Sequence, residues 1–98
     1  PFQHLVHLRL DSADGDKVAQ IARNLARDLR QRKIQEPVEV LGPAPAPIAR
    51  LRNRYRWQIL LKGRDRPALL AAARHAVDLM PRGRATRIHV DVDPYNML

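Results

Sequence analysis

The chain contains no cysteine, so its residues can build neither a disulfide framework nor a thiolate zinc site, and they exclude thiol redox chemistry. The same absence suits a cytoplasmic protein. No apolar run approaches the roughly 20 residues that a membrane-spanning helix needs, and no membrane partner is expected. A phosphate-cradling GxxxxGK[ST] loop, a GxSxG nucleophile turn and an HExxH helix are all missing. These residues therefore offer no catalytic centre and hold no cofactor of their own, and any ATP-dependent activity belongs outside them. Lysine is scarce: of 18 basic residues only Lys17, Lys33 and Lys62 are lysine and the other 15 are arginine. That bias suits forked contacts to phosphate, although a GC-rich genome produces it too.

A chain of 98 residues buries roughly two-thirds of its unfolded surface, which is enough for one core without staples. We read residues 1–98 as a single domain, and because Pro1-Phe2-Gln3 resembles neither a signal peptide nor a natural start, as one excised from a larger protein. The formal net charge is +8, and most of it is local. Between Arg50 and Arg66 lie seven basic residues (Arg50, Arg52, Arg54, Arg56, Lys62, Arg64 and Arg66) against the single acid Asp65, a net of +6. A local basic excess points to an anionic partner. From Arg54 the residues alternate, placing Tyr55, Trp57, Ile59 and Leu61 on one side of a strand and Arg54, Arg56, Gln58 and Lys62 on the other.

Around this strand the periodicities predict five further elements. His4 to Leu10 alternates as a strand, with Val6, Leu8 and Leu10 inward. Ser12 to Asp16 supplies capping residues, and Val18, Ile21, Ala22, Leu25 and Leu29 recur at helical spacing to about Lys33. The opposite face of that helix, with Arg23, Arg27 and Arg30, is expected to be solvated, and Asp28 to pair with Arg32. Val38 to Leu41 begins a strand that enters Gly42-Pro43-Ala44-Pro45-Ala46-Pro47, where missing donors demand a sheet edge or an extended loop. Asp65 caps a second helix with Pro67 in its first turn and Leu69, Leu70, Ala73, Val77 and Met80 buried. Thr86 to Asp93 closes the series, with Ile88, Val90 and Val92 inward and Arg87, His89, Asp91 and Asp93 outward. The order strand, helix, strand, strand, helix, strand is the split βαβ of a ferredoxin-like α+β sandwich, a four-stranded antiparallel sheet with both helices on one face. Arg9, Arg56, Gln58, Lys62 and Arg87 are expected on the open face.

His89, Asp91 and Asp93 share one side of the last strand and invite comparison with a metal site or an acid pair. Cross-strand ion pairs with Arg9 and the arginine hairpin are the better expectation, so no metal site is assigned. Trp57 carries two readings: a core anchor beneath the helices, or a stacking platform for bases.

The runs Val40-Leu41-Gly42-Pro43-Ala44-Pro45-Ala46, Arg54-Tyr55-Arg56-Trp57-Gln58-Ile59-Leu60-Leu61 and Asp91-Val92-Asp93-Pro94 resemble, in order and spacing, the C-terminal domain of PriA, the primosomal replication-restart DNA helicase of bacteria. The resemblance covers essentially the whole chain and implies a fold similar to a small-subunit ribosomal protein of the ferredoxin-like kind. It implies a parent that resembles an ATP-dependent helicase using ATP, magnesium and zinc in other domains, and that engages stalled forks and single-stranded and duplex DNA. It implies as partners the helicase core of the same chain, the single-stranded-DNA-binding protein and other primosome proteins. DNA contacts are then expected from Arg50, Arg52, Arg54, Arg56, Lys62 and Arg64. Arg66 is expected to meet the acidic C-terminal peptide of the single-stranded-DNA-binding protein, against the plainer alternative of a pair with Asp65 or water. An interaction module whose basic hairpin docks on protein stays open beside the DNA-binding reading.

Overall fold

The computed structural model describes residues 3–32 and 37–93, so the helix end expected near Lys33 and Pro94 of the closing motif fall outside the described residues. In the first strand, β1 (His4–Ser12), the alternation buries Val6, Leu8 and Leu10 completely. Asp14 then caps helix α1 (Gly15–Gln31), its carboxylate accepting from the Lys17 amide at 3.0 Å, and satisfies one of the donors a helix start leaves unpaired. Helix α1 buries Val18, Ala22, Leu25, Ala26 and Leu29 against the sheet. All three arginines of the opposite face are exposed as expected, and two of them also fasten the helix down. Arg23 lies 5.5 Å above the Trp57 ring, and Arg30 donates to the carbonyls of Val40, at 3.0 Å, and Gly42. Asp28 pairs with its neighbour Arg27 at 3.6 Å rather than with Arg32.

The proline-rich segment is the edge strand β2 (Glu39–Leu51), with register shifts between Leu41 and Ala44 and between Pro45 and Arg50. Prolines that cannot donate cost nothing on the outer side of an edge. Gly42 is required there, because its φ of +98° places a Cβ 3.1 Å from the Gln58 carbonyl oxygen. Strand β3 (Arg54–Gly63) follows, then helix α2 (Arg66–Leu79), capped by the Asp65 carboxylate on the Ala68 amide at 3.2 Å, and strand β4 (Thr86–Val92). The sheet order is β2-β3-β1-β4, and every pair is antiparallel. This is the ferredoxin-like α+β arrangement read from the order of elements.

Two burial expectations are corrected. In α2 the inner face is built from Leu69 and the small residues Ala72, Ala73 and Ala76, while Val77 is 44% exposed. In β4, Val90 and Val92 are 38% and 37% exposed although they point to the helix side. Helix α1 packs over β1, β2 and β3, and α2 over β1 and β3, so the outer strand β4 has a sheet neighbour on one side and little helix cover.

Candidate nucleic-acid interface

Strands β2 and β3 meet in a two-residue turn whose residues, Arg52 and Asn53, both have positive φ, 52° and 62°. This is the left-handed geometry that matches the twist of a hairpin, and it throws the Arg52 side chain outward at the tip. Arg50 crosses the turn to donate to Asn53 Oδ1 at 3.1 Å and lies 5.3 Å above the Tyr55 ring. Arg56, on the open face, donates to the Ile48 carbonyl at 3.4 Å. None of these three has a carboxylate within ion-pair distance among the described residues.

Arg54 is different. It donates through Nε to Asp11 Oδ1 at 2.5 Å, and through its terminal nitrogen to the backbone carbonyls of Asp11, at 3.1 Å, and Ala85, at 3.2 Å. Asp11 is buried, with 5% of its surface exposed, and it gathers two more donors: Arg87 Nε at 3.0 Å and His89 Nε2 at 3.1 Å. Burial raises the carboxyl's pKa. The hydrogen bonds and charges of Arg54 and Arg87 outweigh that and hold it below the usual carboxylate range. An ionised carboxylate only accepts, so the proton in the His89 contact sits on Nε2.

Asp11 is the residue that sequence reasoning missed. The alternation read from His4 to Leu10 stops one residue short of it. The period of two running through Leu5, His7 and Arg9 in fact continues to Asp11 on the open face, where it pairs in register with Arg56 and Arg87. The expected ion pairs between Arg9 and the row His89, Asp91, Asp93 do not form. Asp11 takes His89, and Asp93 turns to the far end of the sheet. Together Arg9, Arg52, Arg54, Arg56 and Arg87, with Asp11 and His89, line an open depression of about 290 Å³ rimmed by Leu51.

The remaining expected site residues lie elsewhere. Lys62 is eight residues along β3 from Arg54, a separation of roughly 26 Å at strand rise. With Arg64 it borders a second depression, of about 440 Å³, beside Pro37, Glu39 and Asp65. The expected six-residue site is therefore two groups at opposite ends of one strand. Arg66, at the start of α2, is half exposed and pairs with Asp93 at 3.8 Å, not with Asp65. Asp93 also accepts from the Leu5 amide at 3.0 Å and lies 3.2 Å from His4 Nδ1. The Leu5 amide, opposed by desolvation and aided by His4 and Arg66, keeps its carboxyl below the usual range.

Tyr55 and Trp57 project to the helix side, where they pack half-buried on the core. The core reading of Trp57 thus fits its place, and it cannot stack on a base held at the open face. Among the described residues no three of His, Asp and Glu gather as a metal site, and no helix is long and apolar enough to cross a membrane.

Comparison with known proteins supplies a family. The family model described as the primosomal protein N C-terminal domain matches residues 1–95. Among curated relatives, the replication restart protein PriA of Synechocystis sp. is 30% identical over 97 residues, covering 99% of this chain and 11% of the relative. The probable replication restart protein PriA of Deinococcus radiodurans is 34% identical over 94 residues, covering 96% and 10%, and the replication restart protein PriA of Bacillus subtilis is 27% identical over 101 residues, covering 100% and 12%. The chain spans about a tenth of the length of these relatives. Of solved structures, the de novo designed protein Foldit4 superposes with a TM-score of 0.67 at 9% identity, over 93% of this chain and 96% of that one. A hydantoinase/carbamoylase family amidase from Burkholderia ambifaria superposes with a TM-score of 0.54 at 16% identity, over 92% of this chain and 27% of that one. At such identities the likeness is one of fold.

Proposed function

The chain belongs to the primosomal protein N C-terminal domain family, and from that membership we propose that it is the DNA-binding accessory domain of a replication-restart helicase, acting in the bacterial cytoplasm at the nucleoid. The observation that carries this reading is the cationic hairpin end. Arg50, Arg52 and Arg56 stand there without carboxylate partners among the described residues, while Arg54, tied to Asp11, stiffens the strand beneath them. Guanidinium groups that are half exposed and unpaired by acid are available to phosphate, and such contacts bind DNA of any sequence.

The test is a hairpin variant carrying Arg50→Ala, Arg52→Ala and Arg56→Ala. It should lose about tenfold or more in DNA affinity at low salt, and its thermal midpoint should hold, because exposed arginines contribute little to stability. Arg54 is left in place, since removing it would take from the buried Asp11 one of its charged partners. Unchanged affinity would assign the hairpin to protein contacts.

A second reading is favoured by the other end of β3, where Lys62, Arg64 and Arg66 border or approach the larger depression. This end suits an acidic peptide, as of the single-stranded-DNA-binding protein, or the parent's own helicase core. A guanidinium can clasp a terminal carboxylate with two parallel bonds, and the N-terminus of α2 adds favourable partial charge. Arg66 has to leave Asp93 to do so. In the full-length protein, Arg66→Ala should abolish peptide binding and spare DNA binding, and unchanged peptide affinity would remove Arg66 from the site.

A further inference from the structure

We infer that the depression on the open sheet face is a discrete phosphate seat for a nucleic-acid strand, centred on Arg9 and independent of base identity; it rests on the DNA-binding reading above and gives that reading a second contact. Arg9 sits mid-sheet, in register with Gln58 on β3 and His89 on β4. Its Nε is buried and has no hydrogen-bond partner among the described residues. Such orphaned donors are uncommon in folded proteins, and Arg9 lines the depression from which an acceptor can approach its guanidinium.

The surroundings specify the acceptor's charge. Five guanidinium groups, those of Arg9, Arg52, Arg54, Arg56 and Arg87, face the depression with the single carboxylate of Asp11, a net of +4 before His89 is counted. Asp11 consumes the donors of Arg54 and Arg87 and fixes these two as walls. Arg9 and Arg52 keep theirs for a ligand, and Arg56 gives up one, to the Ile48 carbonyl. A carboxylate could satisfy one arginine, but an array of forks across an open trough matches repeated phosphodiester charge. The trough is continuous with the hairpin tip through Arg52, so one strand can run from the tip into it. Tyr55 and Trp57 lie on the opposite side of the sheet, which leaves bases without an aromatic platform here and predicts contact to the backbone alone.

The experiment follows the Arg9 Nε–Hε resonance of the nitrogen-15-labelled chain, assigned by its loss in Arg9→Lys. The additions are an oligothymidylate, an abasic oligodeoxynucleotide of the same length, and inorganic phosphate. Both oligonucleotides should shift the signal and saturate together with the backbone changes, while inorganic phosphate should act only at far higher concentration. Arg9→Gln should weaken oligothymidylate binding about tenfold, as expected for one charge-assisted hydrogen bond, and reduce the salt slope by about one. Arg9→Lys should recover part of the affinity. Thermal unfolding of both variants verifies that the sheet is intact, and the resonance in the unsubstituted chain decides the question if either fails to fold. An unmoved Arg9 signal, while the hairpin amides shift and Arg9→Gln binds normally, overturns the seat and leaves the DNA reading standing. A shift by inorganic phosphate alone also overturns it. If neither oligonucleotide perturbs any resonance, the seat and the DNA reading fall together.

Discussion

A carboxylate with 5% of its surface exposed is tolerated only when its partners outweigh its lost hydration, and Asp11 has Arg54, Arg87 and His89. Its pKa lies below the unfolded value of about 3.9, so its contribution to stability is full above about pH 5 and is lost as the pH falls through the folded pKa. Asp11→Asn should therefore cost roughly 2 kcal/mol at neutral pH, and the gap between variant and parent should close as the pH falls below the unfolded value and through the lowered folded pKa. Asp93, whose pKa is also lowered, keeps part of the acid limb in both proteins. Urea denaturation across that pH range measures the gap, and a gap that stays constant with pH would show that Asp11 is not the titrating group. Neither role was legible in advance. An acid one residue past an apparent strand end looks the same whether it caps a turn or collects arginines, and only the register with Arg56 and Arg87 distinguishes the two.

Elements were more readable than pairings. Alternation and capping located all six elements, because each carries a periodic apolar face that packing then used, and the prolines of β2 correctly demanded an edge. What eluded the same reasoning is coverage. Ile88, Val90 and Val92 alternate as cleanly as Val6, Leu8 and Leu10, yet only Ile88 reaches the core and the two valines stay exposed, because a periodic pattern records which side faces inward without recording what sits there. The contrast is measurable. Leu8→Ala, in the covered strand, should cost about 2–5 kcal/mol, whereas Val90→Ala, its register partner in β4, should cost less than about 1 kcal/mol. Comparable losses in chemical denaturation would mean that β4 is covered after all. The arginine face of α1 is exposed as read, and what periodicity did not show is that Arg23 and Arg30 also reach Trp57 and the β2 carbonyls.

At the scale of the whole molecule the positive charge is divided, and the division follows from strand length. A contiguous basic run in sequence, Arg50 to Arg66, becomes two groups because β3 carries Lys62 roughly 26 Å from Arg54. One end joins the hairpin to Arg9 and Arg87 from strands distant in sequence, and the other holds Lys62, Arg64 and the Arg66–Asp93 pair. Charge density along the sequence located both groups and could not separate them. The measurement that bears most directly on the proposed function is the salt dependence of DNA binding by the intact chain. Four guanidinium groups at the hairpin end, those of Arg9, Arg50, Arg52 and Arg56, lack carboxylate partners among the described residues. Affinity for a short duplex between about 50 and 200 mM salt should then fall with a log–log slope of about −3 to −4. A slope near zero, or no binding at the lowest salt, would contradict a phosphate-binding role for the hairpin end.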